Sequence, residues 1–338
     1  MERHGWLFHC RSGYEETLAS EAVAAARAAG IHGYCKAHPR SAFVIFEAPA
    51  DTLPEPPRLI FSRSGIRLVA EARDLPEGQR AQALAAALPA GLAGGEPWLE
   101  HADSDAGRPL ARFCRRFAGA AQRALEAHGV LEQRHGQRLH LFFHDSSHCL
   151  AGVSRGALWR NGIPRLRMPR QAPSRSVMKL EEALHRLIPE DERPRPGESA
   201  VDLGAAPGGW TWLMRQRGAK VCAVDNGPLA PELVDDPGVE HQRVDAFRFQ
   251  PDHPVDWVLC DVVDRPQGIA RLIQQWLVSG LAGATVFNLK LPMRRPLDTV
   301  QRTVRDLRDA GMRVSAGQLY HDREEVTLYA RRQSRQCR

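Results

Sequence analysis

The chain has 338 residues, more than a single domain usually holds, so two domains are expected. Hydrophobic residues make up 43% of it and charged residues 25%, which indicates an ordinary globular protein and excludes a fibrous or disordered one. The formal charge of +6 permits a polyanionic partner without requiring one. No apolar run is long enough to cross a membrane, and the start carries no secretory pattern, so we expect a cytoplasmic protein with no membrane partner.

The cysteines and histidines predict neither disulfides nor a metal site. The seven cysteines are odd in number and dispersed, with no Cys-x-x-Cys pair. His140, His144 and His148 are spaced by four residues, which on a helix would form a metal-binding face. Their segment has the apolar pattern of a strand, on which residues four apart lie about 13 Å from each other. We therefore expect reduced thiols and no bound metal.

The first half of the chain predicts small α+β units with antiparallel strands. Strands are expected at residues 6–10, 42–46, 59–62 and 66–72, followed by a hairpin of 137–143 with 149–154. Helices are expected at residues 15–28, 81–88 and 110–128.

An arginine-rich window follows. Between Ser146 and Leu180 there is no acidic residue, and six arginines fall inside: Arg155, Arg160, Arg165, Arg167, Arg170 and Arg175. A solvated linker usually mixes in carboxylates, so we expect part of this stretch to contact phosphates, with a plain linker as the alternative. The predicted organisation is an α+β RNA-binding region at 1–155, an Arg/Pro-rich linker at 156–173, and a catalytic domain at 174–338.

From Ser199 onward, strands alternate with helices, which predicts a doubly wound α/β domain with a mainly parallel sheet. Strands are expected at 200–203, 220–224, 240–244, 255–260 and 285–291, with helices at 211–217, 269–279 and 298–310. Two closing strands, 313–320 and 325–330, are expected to be antiparallel.

Residues 201–210 form a glycine- and proline-containing turn between the first strand and helix of this domain. Asp225 ends the second strand, where an acidic side chain can accept hydrogen bonds from the ribose hydroxyls of a nucleoside. The turn is not Gly-x-Gly-x-x-Gly, which argues against a dinucleotide. S-adenosylmethionine has a ribose but no phosphates, and Asp245 follows the third strand, where it could accept the adenine amino group. We therefore expect S-adenosylmethionine, with another nucleotide or a structural turn as the alternative.

Lysine is rare in this chain, which has 42 arginines and four lysines. Two of the four, Lys179 and Lys290, flank the turn. An arginine cannot be deprotonated in a protein, whereas a lysine can be shifted toward neutrality. Both lysines are therefore candidates for a catalytic base, unless they are surface residues present by chance.

Several motifs resemble a known family. Lys179, Asp261, Lys290 and Glu325, with 174–176 ahead of them, look like the Lys-Asp-Lys-Glu tetrad of ribose 2'-O-methyltransferases. Within that class, residues 225–228 and 287–293 closely resemble the bacterial 23S rRNA cytidine 2'-O-methyltransferase M family. The first half matches more loosely, through 13–16. The resemblance implies a Rossmann-like class I methyltransferase domain preceded by ferredoxin-like and THUMP-like RNA-binding segments.

The same resemblance implies roles for individual residues. Lys290 would be the general base and Lys179 the neighbouring cation; Asp261 would orient Lys290 and the hydroxyl, and Glu325 would hold one of the lysines. The cofactor residues would be Ser174, Gly204, Ala206, Pro207, Gly208, Gly209, Asp225, Asp245 and Asp261. Ser174 is preferred over Ser176. The partner would be 23S rRNA, naked or in an assembling large subunit, and the protein is expected to be a monomer.

Other activities fit less well. An exocyclic-amine methyltransferase typically has Asn or Asp before Pro-Pro and an aromatic residue after the fourth strand, where this chain has 261–264. A pyrimidine C5 enzyme needs a nucleophilic cysteine, and alternation along the strand points Cys260 away from the side that Asp261 faces. A non-catalytic RNA-binding or ribosome assembly factor with the same fold stays an alternative, which measured methyl transfer would separate.

Overall fold

The computed structural model describes residues 2–49, 53–132, 136–156 and 159–333. The chain divides into two compact units, Met1–Pro164 and Arg165–Arg338. This division falls inside the arginine-rich window; the three-part organisation with a separate linker stays a prediction. Within the described residues, no helix is long and apolar enough to span a membrane.

The described part of the first unit contains one seven-stranded sheet and three α-helices. Its strands are β1 (Glu2–His9), β2 (Tyr34–Ala37), β3 (Phe43–Glu47), β4 (Ser64–Ala72), β5 (Trp98–His101), β6 (Arg138–Asp145) and β7 (His148–Ser154). Its helices are α1 (Glu15–Ala28), α2 (Arg80–Ala86) and α3 (Leu110–Ala127). The strand order is β2-β3-β1-β4-β7-β6-β5, antiparallel except for the β5–β6 pair.

The prediction of a strand at 59–62 is wrong. The backbone N–H groups of Ile60 and Phe61 donate to the carboxylate of Glu21 on α1, at 2.7 and 3.0 Å. A side chain therefore satisfies the donors that a strand would pair with its neighbour. Two strands, β2 and β5, were not predicted from the sequence, because each is only four residues long.

The histidines of the predicted hairpin contact carboxylates within the first unit. His140 and His9 both contact the buried carboxylate of Glu100, at 3.0 and 3.3 Å. His148 contacts Glu71 at 2.7 Å, and its ring stacks on that of His144. Burial favours the neutral form of Glu100, but the imidazoles of His140 and His9 outweigh it and hold the pKa of Glu100 well below its usual range. Over the described ranges, no group of three or more potential ligands could hold a metal ion.

The second unit contains the predicted doubly wound sheet. Its strands are β8 (Ser199–Leu203), β9 (Lys220–Val224), β10 (Val239–Gln242), β11 (Val255–Cys260), β12 (Ala282–Lys290), β13 (Met312–Gly317) and β14 (Glu325–Arg332). Its helices are α4 (Val177–Arg186), α5 (Gly209–Gln216), α6 (Pro231–Val234), α7 (Pro266–Val278) and α8 (Pro296–Asp309). The strand order is β10-β9-β8-β11-β12-β14-β13.

The direction of β14 determines what lies at one edge of this sheet. β8 to β12 pair in parallel, whereas β14 is antiparallel to both β12 and β13, as the sequence predicted for the closing pair. The first residue of β14 therefore lies beside the last residue of β12. This arrangement places Glu325 at the edge where the parallel strands end, which is the edge where ligands bind in such sheets.

Candidate active site

The carboxyl edge of the second sheet brings three of the four predicted catalytic side chains into direct contact. Lys179 lies on α4, Asp261 directly follows β11, and Glu325 begins β14. The ammonium of Lys179 is 3.5 Å from Asp261 Oδ1 and forms a short ion pair with Glu325 Oε2. All three side chains are largely buried. Of the two lysines that Glu325 was expected to hold, it contacts Lys179.

The two carboxylates keep Lys179 charged. Burial disfavours the ammonium, but the charges of Asp261 and Glu325 outweigh it and raise the pKa of Lys179. A base must give up its proton near neutral pH, so a lysine stabilised as a cation is poorly suited to that task. Lys179 is therefore better suited to be the structural cation of the site.

Asp261 is the shared acceptor of this cluster. Besides Lys179, its Oδ1 accepts a hydrogen bond of 2.7 Å from the side-chain amide of Asn288 on β12. Burial raises the pKa of Asp261, although Lys179 and Asn288 oppose the shift. Two donors converge on one oxygen, which fixes the orientation of the carboxyl group.

Three residues that the sequence analysis missed extend the cluster inward. Thr327 Oγ lies 2.7 Å from Asn288 Oδ1, and Asp322 Oδ2 lies 3.1 Å from the same hydroxyl. A threonine hydroxyl has one proton, which it donates to Asn288 Oδ1 at the shorter distance. Asp322 Oδ2 accepts the N–H of Leu319 at 2.9 Å, so a protonated Asp322 would donate to the Thr327 hydroxyl through Oδ1, 3.3 Å away. Burial raises the pKa of Asp322 to about 8. Asn288 could have been found from its place two residues before Lys290, on the same strand face.

Lys290 differs from Lys179 in its surroundings. It ends β12, its Cα pairs in register with that of Glu325, and it is exposed. Within the described ranges its side chain has no ion pair with a carboxylate. Since side chains alternate along a strand, Lys290 is on the same face as Asn288, which contacts Asp261. Lys290 is thus beside the charged cluster without being part of it.

The turn after β8 contains glycines at positions where a residue with a side chain would not fit. Gly204 and Gly208 have φ values of +78° and +114°, a region that other residues rarely adopt. A Cβ on Gly204 would lie 2.7 Å from Val262, and one on Gly208 would collide with Leu233. The peptide bond between Ala206 and Pro207 is cis. The turn therefore lies close against the segments that follow β9 and β11.

Asp225 is bonded to this turn. Its Oδ2 accepts a hydrogen bond from the N–H of Ala206 at 3.0 Å, and its Oδ1 accepts one from Gly227 at 2.8 Å. A carboxylate has about four acceptor sites, so two remain for donors such as ribose hydroxyls. Asp245 is exposed, and its Oδ1 accepts a hydrogen bond of 2.9 Å from the N–H of Phe247. The contact of Asp245 with adenine stays a prediction.

Ser174 and Ser176 are equally placed next to the turn. Their hydroxyl oxygens are 2.6 Å apart, and a Cβ on Gly209 would collide with both. Glycine at 209 therefore allows the start of α5 to approach the serine pair. Which serine contacts a cofactor stays a prediction.

Three family models match the chain. They are an FtsJ-like methyltransferase at 172–286, an RlmM ferredoxin-like domain at 3–63, and the N-terminal region of ribosomal RNA large subunit methyltransferase M at 79–155. A ribosomal RNA large subunit methyltransferase M from Halorhodospira halophila is 64% identical over 98% of both chains. The chain belongs to the ribosomal RNA large subunit methyltransferase M family. Its counterpart from Alkalilimnicola ehrlichii is 48% identical over 96% of this chain and 94% of its own.

Family membership confirms the fold expected from the sequence. The FtsJ-like match covers β8 to β11 and the first half of β12, ending at residue 286, and the ferredoxin-like match, from residue 3 to 63, covers β1 to β3. The THUMP-like assignment stays a prediction, because the family M description of 79–155 names no fold. Among solved structures, the Methanococcus jannaschii fibrillarin pre-rRNA processing protein has a TM-score of 0.38 and 12% identity, covering 56% of this chain and 81% of its own.

Proposed function

We propose that this protein transfers a methyl group from S-adenosylmethionine to the ribose 2'-hydroxyl of a cytidine in 23S rRNA, with Lys290 as the general base. The observation that carries the proposal is the unequal state of the two lysines. Lys179 is held as a cation by Asp261 and Glu325, whereas Lys290 is exposed at the same sheet edge, and no carboxylate among the described residues bonds to it. Family membership supports the rRNA substrate, and the cytidine rests on the resemblance of residues 225–228 and 287–293.

The residues at the carboxyl edge fit S-adenosylmethionine. Asp225 has free acceptor sites for the two ribose hydroxyls, and the turn from Gly204 to Gly209, with the Ser174–Ser176 pair, offers backbone and hydroxyl groups to the amino-acid part. When bound, S-adenosylmethionine supplies a methyl group activated on a positively charged sulfur. The carboxylate of Asp261, at the same edge, would favour that positive charge.

The protein's own groups would orient the hydroxyl and remove its proton. Lys290 in its neutral form would take the proton of the 2'-hydroxyl and become an ammonium while the hydroxyl oxygen bonds to the methyl carbon and the carbon–sulfur bond breaks, its electron pair staying on sulfur. Asp261, fixed by Lys179 and Asn288, accepts a hydrogen bond that aligns the lysine or the hydroxyl. Glu325 keeps Lys179 in place. Because Lys179 is paired with two carboxylates, its positive charge is largely balanced within the cluster.

Pyrimidine C5 chemistry is not favoured by the site. Cys260 is fully buried, and burial raises the pKa of its thiol to about 12. A nucleophilic cysteine needs a lowered pKa and access to substrate. Cys260 has neither.

Methylation mapping tests the proposal directly. In cells lacking this protein, one 2'-O-methylcytidine of 23S rRNA should disappear, and the wild-type protein should restore it. A Lys290→Ala variant should fail to restore it, whereas a Lys220→Ala variant should succeed, because Lys220 is an exposed lysine at the start of β9. An unchanged methylation map would favour the alternative, a non-catalytic RNA-binding or assembly factor.

The remaining parts of the proposal concern setting. We place the protein in the cytoplasm as a monomer that acts on rRNA without a metal ion. Whether it acts on naked 23S rRNA or on an assembling particle can be decided by comparing the two as substrates in the same methyl-transfer assay.

A further inference from the structure

A groove between α7 and α8 carries an unusual set of charges. It has a volume of about 380 Å³ and is lined by four arginines: Arg271, Arg294, Arg295 and Arg302. All four are exposed. In the part of the chain that the structure describes, none of them forms an ion pair.

Carboxylates in the groove do not neutralise these arginines. Asp298 and Asp306 also line it, but neither forms an ion pair with a described arginine. Half-buried arginines of the same unit are paired by contrast: Arg215 contacts Asp236 at 2.8 Å, and Arg217 contacts Glu181 at 3.1 Å. The groove therefore carries four arginines against two carboxylates, a net positive charge whose arginines make no ion pair with a described residue.

The position of the groove connects it to the reaction site. Arg294 and Arg295 follow the end of β12 by four and five residues, so the groove begins close in sequence to Lys290. Arg302 lies seven residues further, or about 10 Å along α8 at 1.5 Å per residue. A nucleic-acid strand carries one charge per roughly 3.4 Å of axis in a duplex, so this length can contact more than one phosphate.

We propose that the α7–α8 groove binds phosphates of the RNA strand that flanks the target nucleotide. This proposal rests on the proposed function, since it names a surface that holds its substrate. Guanidinium groups suit phosphate because each presents several N–H donors in a planar fork. Gln267 and Gln274 line the same groove and add amide donors.

A charge-matched pair of double variants tests the groove. Arg271→Ala with Arg302→Ala removes two groove charges at a distance in sequence from the proposed catalytic residues. Lys220→Ala with Arg305→Ala removes two exposed charges that do not line the groove, one of them on the same helix. The probe is a 23S rRNA fragment containing the target nucleotide, and its affinity is measured from 50 to 200 mM salt.

The groove variant should show a shallower dependence of log affinity on log salt, by about 1.4 for two contacts to single-stranded RNA, and roughly 10-fold or more weaker binding at 0.1 M salt. Its KM for RNA should rise while kcat at saturating RNA and the affinity for S-adenosylmethionine stay as in wild type. The control variant should keep the wild-type slope.

Two results would overturn the groove proposal. One is an unchanged salt slope in the groove variant. The other is an equal decrease of the slope and of RNA affinity in both variants, which would indicate only an effect of total charge. A wild-type protein that neither binds nor methylates the fragment would instead contradict the proposed function. Thermal unfolding of both variants checks that neither change disturbs the fold.

Discussion

Glu325 is the register partner of Lys290 across the β12–β14 ladder, yet its carboxylate bonds to Lys179 on α4. The two lysines of the site therefore have opposite surroundings at the same edge of one sheet. Lys179 has two carboxylates and a raised pKa. Lys290 is exposed. This asymmetry gives each lysine a different expected response to the same substitution.

Lys290→Arg should abolish nearly all methyl transfer while leaving S-adenosylmethionine binding intact. Arginine keeps the charge and much of the length but cannot give up its proton near neutral pH. Single-turnover rates on rRNA fragments or particles, measured over a range of pH, check this. Lys220→Arg is the matched control and should retain wild-type activity. A Lys290→Arg variant with a normal rate and pH profile would show that Asp261 or water removes the proton.

Lys179→Arg should be milder than Lys290→Arg, because an arginine can still supply the cation that Asp261 and Glu325 require. The guanidinium fork is larger than an ammonium, so some loss of rate is expected from imperfect fit. The same single-turnover assay compares the two variants. If Lys179→Arg were the more damaging change across the whole pH range, the assignment of the two lysines would have to be exchanged.

Asp225→Ala should weaken S-adenosylmethionine binding by about 1–3 kcal/mol, since it leaves the ribose hydroxyls without their acceptor and frees the N–H of Ala206. Asp225→Asn keeps one acceptor oxygen, so its affinity for S-adenosylmethionine should lie between those of wild type and of Asp225→Ala. Titration calorimetry measures all three. Unchanged affinity in the alanine variant, or preferential binding of NAD, would contradict the cofactor assignment.

Arg165, Arg167 and Arg170 are exposed in the arginine-rich window, and none of them forms an ion pair with a described carboxylate. Replacing all three with alanine should flatten the salt dependence of RNA binding, because RNA binding releases fewer counterions when fewer phosphates are contacted. The affinity for S-adenosylmethionine should not change. A wild-type salt slope would return the window to the role of a plain linker.

Asp322→Asn should change how stability depends on pH. Burial raises the pKa of Asp322 from 3.8 to about 8, so between these values the unfolded chain loses a proton that the folded chain keeps. Wild-type stability therefore falls across this window as pH rises. An asparagine amide can donate to Thr327 without titrating. As the pH rises, the free energy of unfolding of the variant should therefore increase relative to that of wild type, by on the order of 1 kcal/mol or more.

Urea unfolding at pH 5 and pH 8 measures this difference. Asp191→Asn is a suitable control because Asp191 is exposed and should not alter the pH dependence. A variant whose stability tracks wild type at both pH values would mean that Asp322 is ionised in the folded protein.

The sequence predicted most of the second sheet because the strands around the site are buried and uninterrupted. β8, β9, β11 and β12 were each located to within three residues at either end. β10 was predicted to begin one residue late and to end two residues late, and Arg243 and Val244 lie beyond it, exposed. The end of a short strand depends on its partner, which a single sequence does not show.

Contacts between side chains were harder to predict than elements. The motif predicted Lys179, Asp261 and Glu325 as site residues. It did not predict which lysine Glu325 contacts, because that contact depends on how α4 packs against the sheet. Asp322 and Thr327 carry no motif, and their importance follows only from their burial beside Asn288. The strand predicted at 59–62 is likewise absent because the carboxylate of Glu21, distant in sequence, accepts a hydrogen bond from the backbone of Ile60.

The antiparallel insertion of β14 also affects the order in which the site can form during synthesis. β13 bonds to the sheet only through β14, which pairs with β12 on its other side. A nascent chain that has completed β12 already contains Lys179, Asp261 and Lys290, but not the carboxylate that pins Lys179. Until β14 emerges and inserts, Lys179 has only Asp261 as a partner from the described cluster. Methyl transfer is therefore expected to begin only after the chain beyond Glu325 has left the ribosome that makes it.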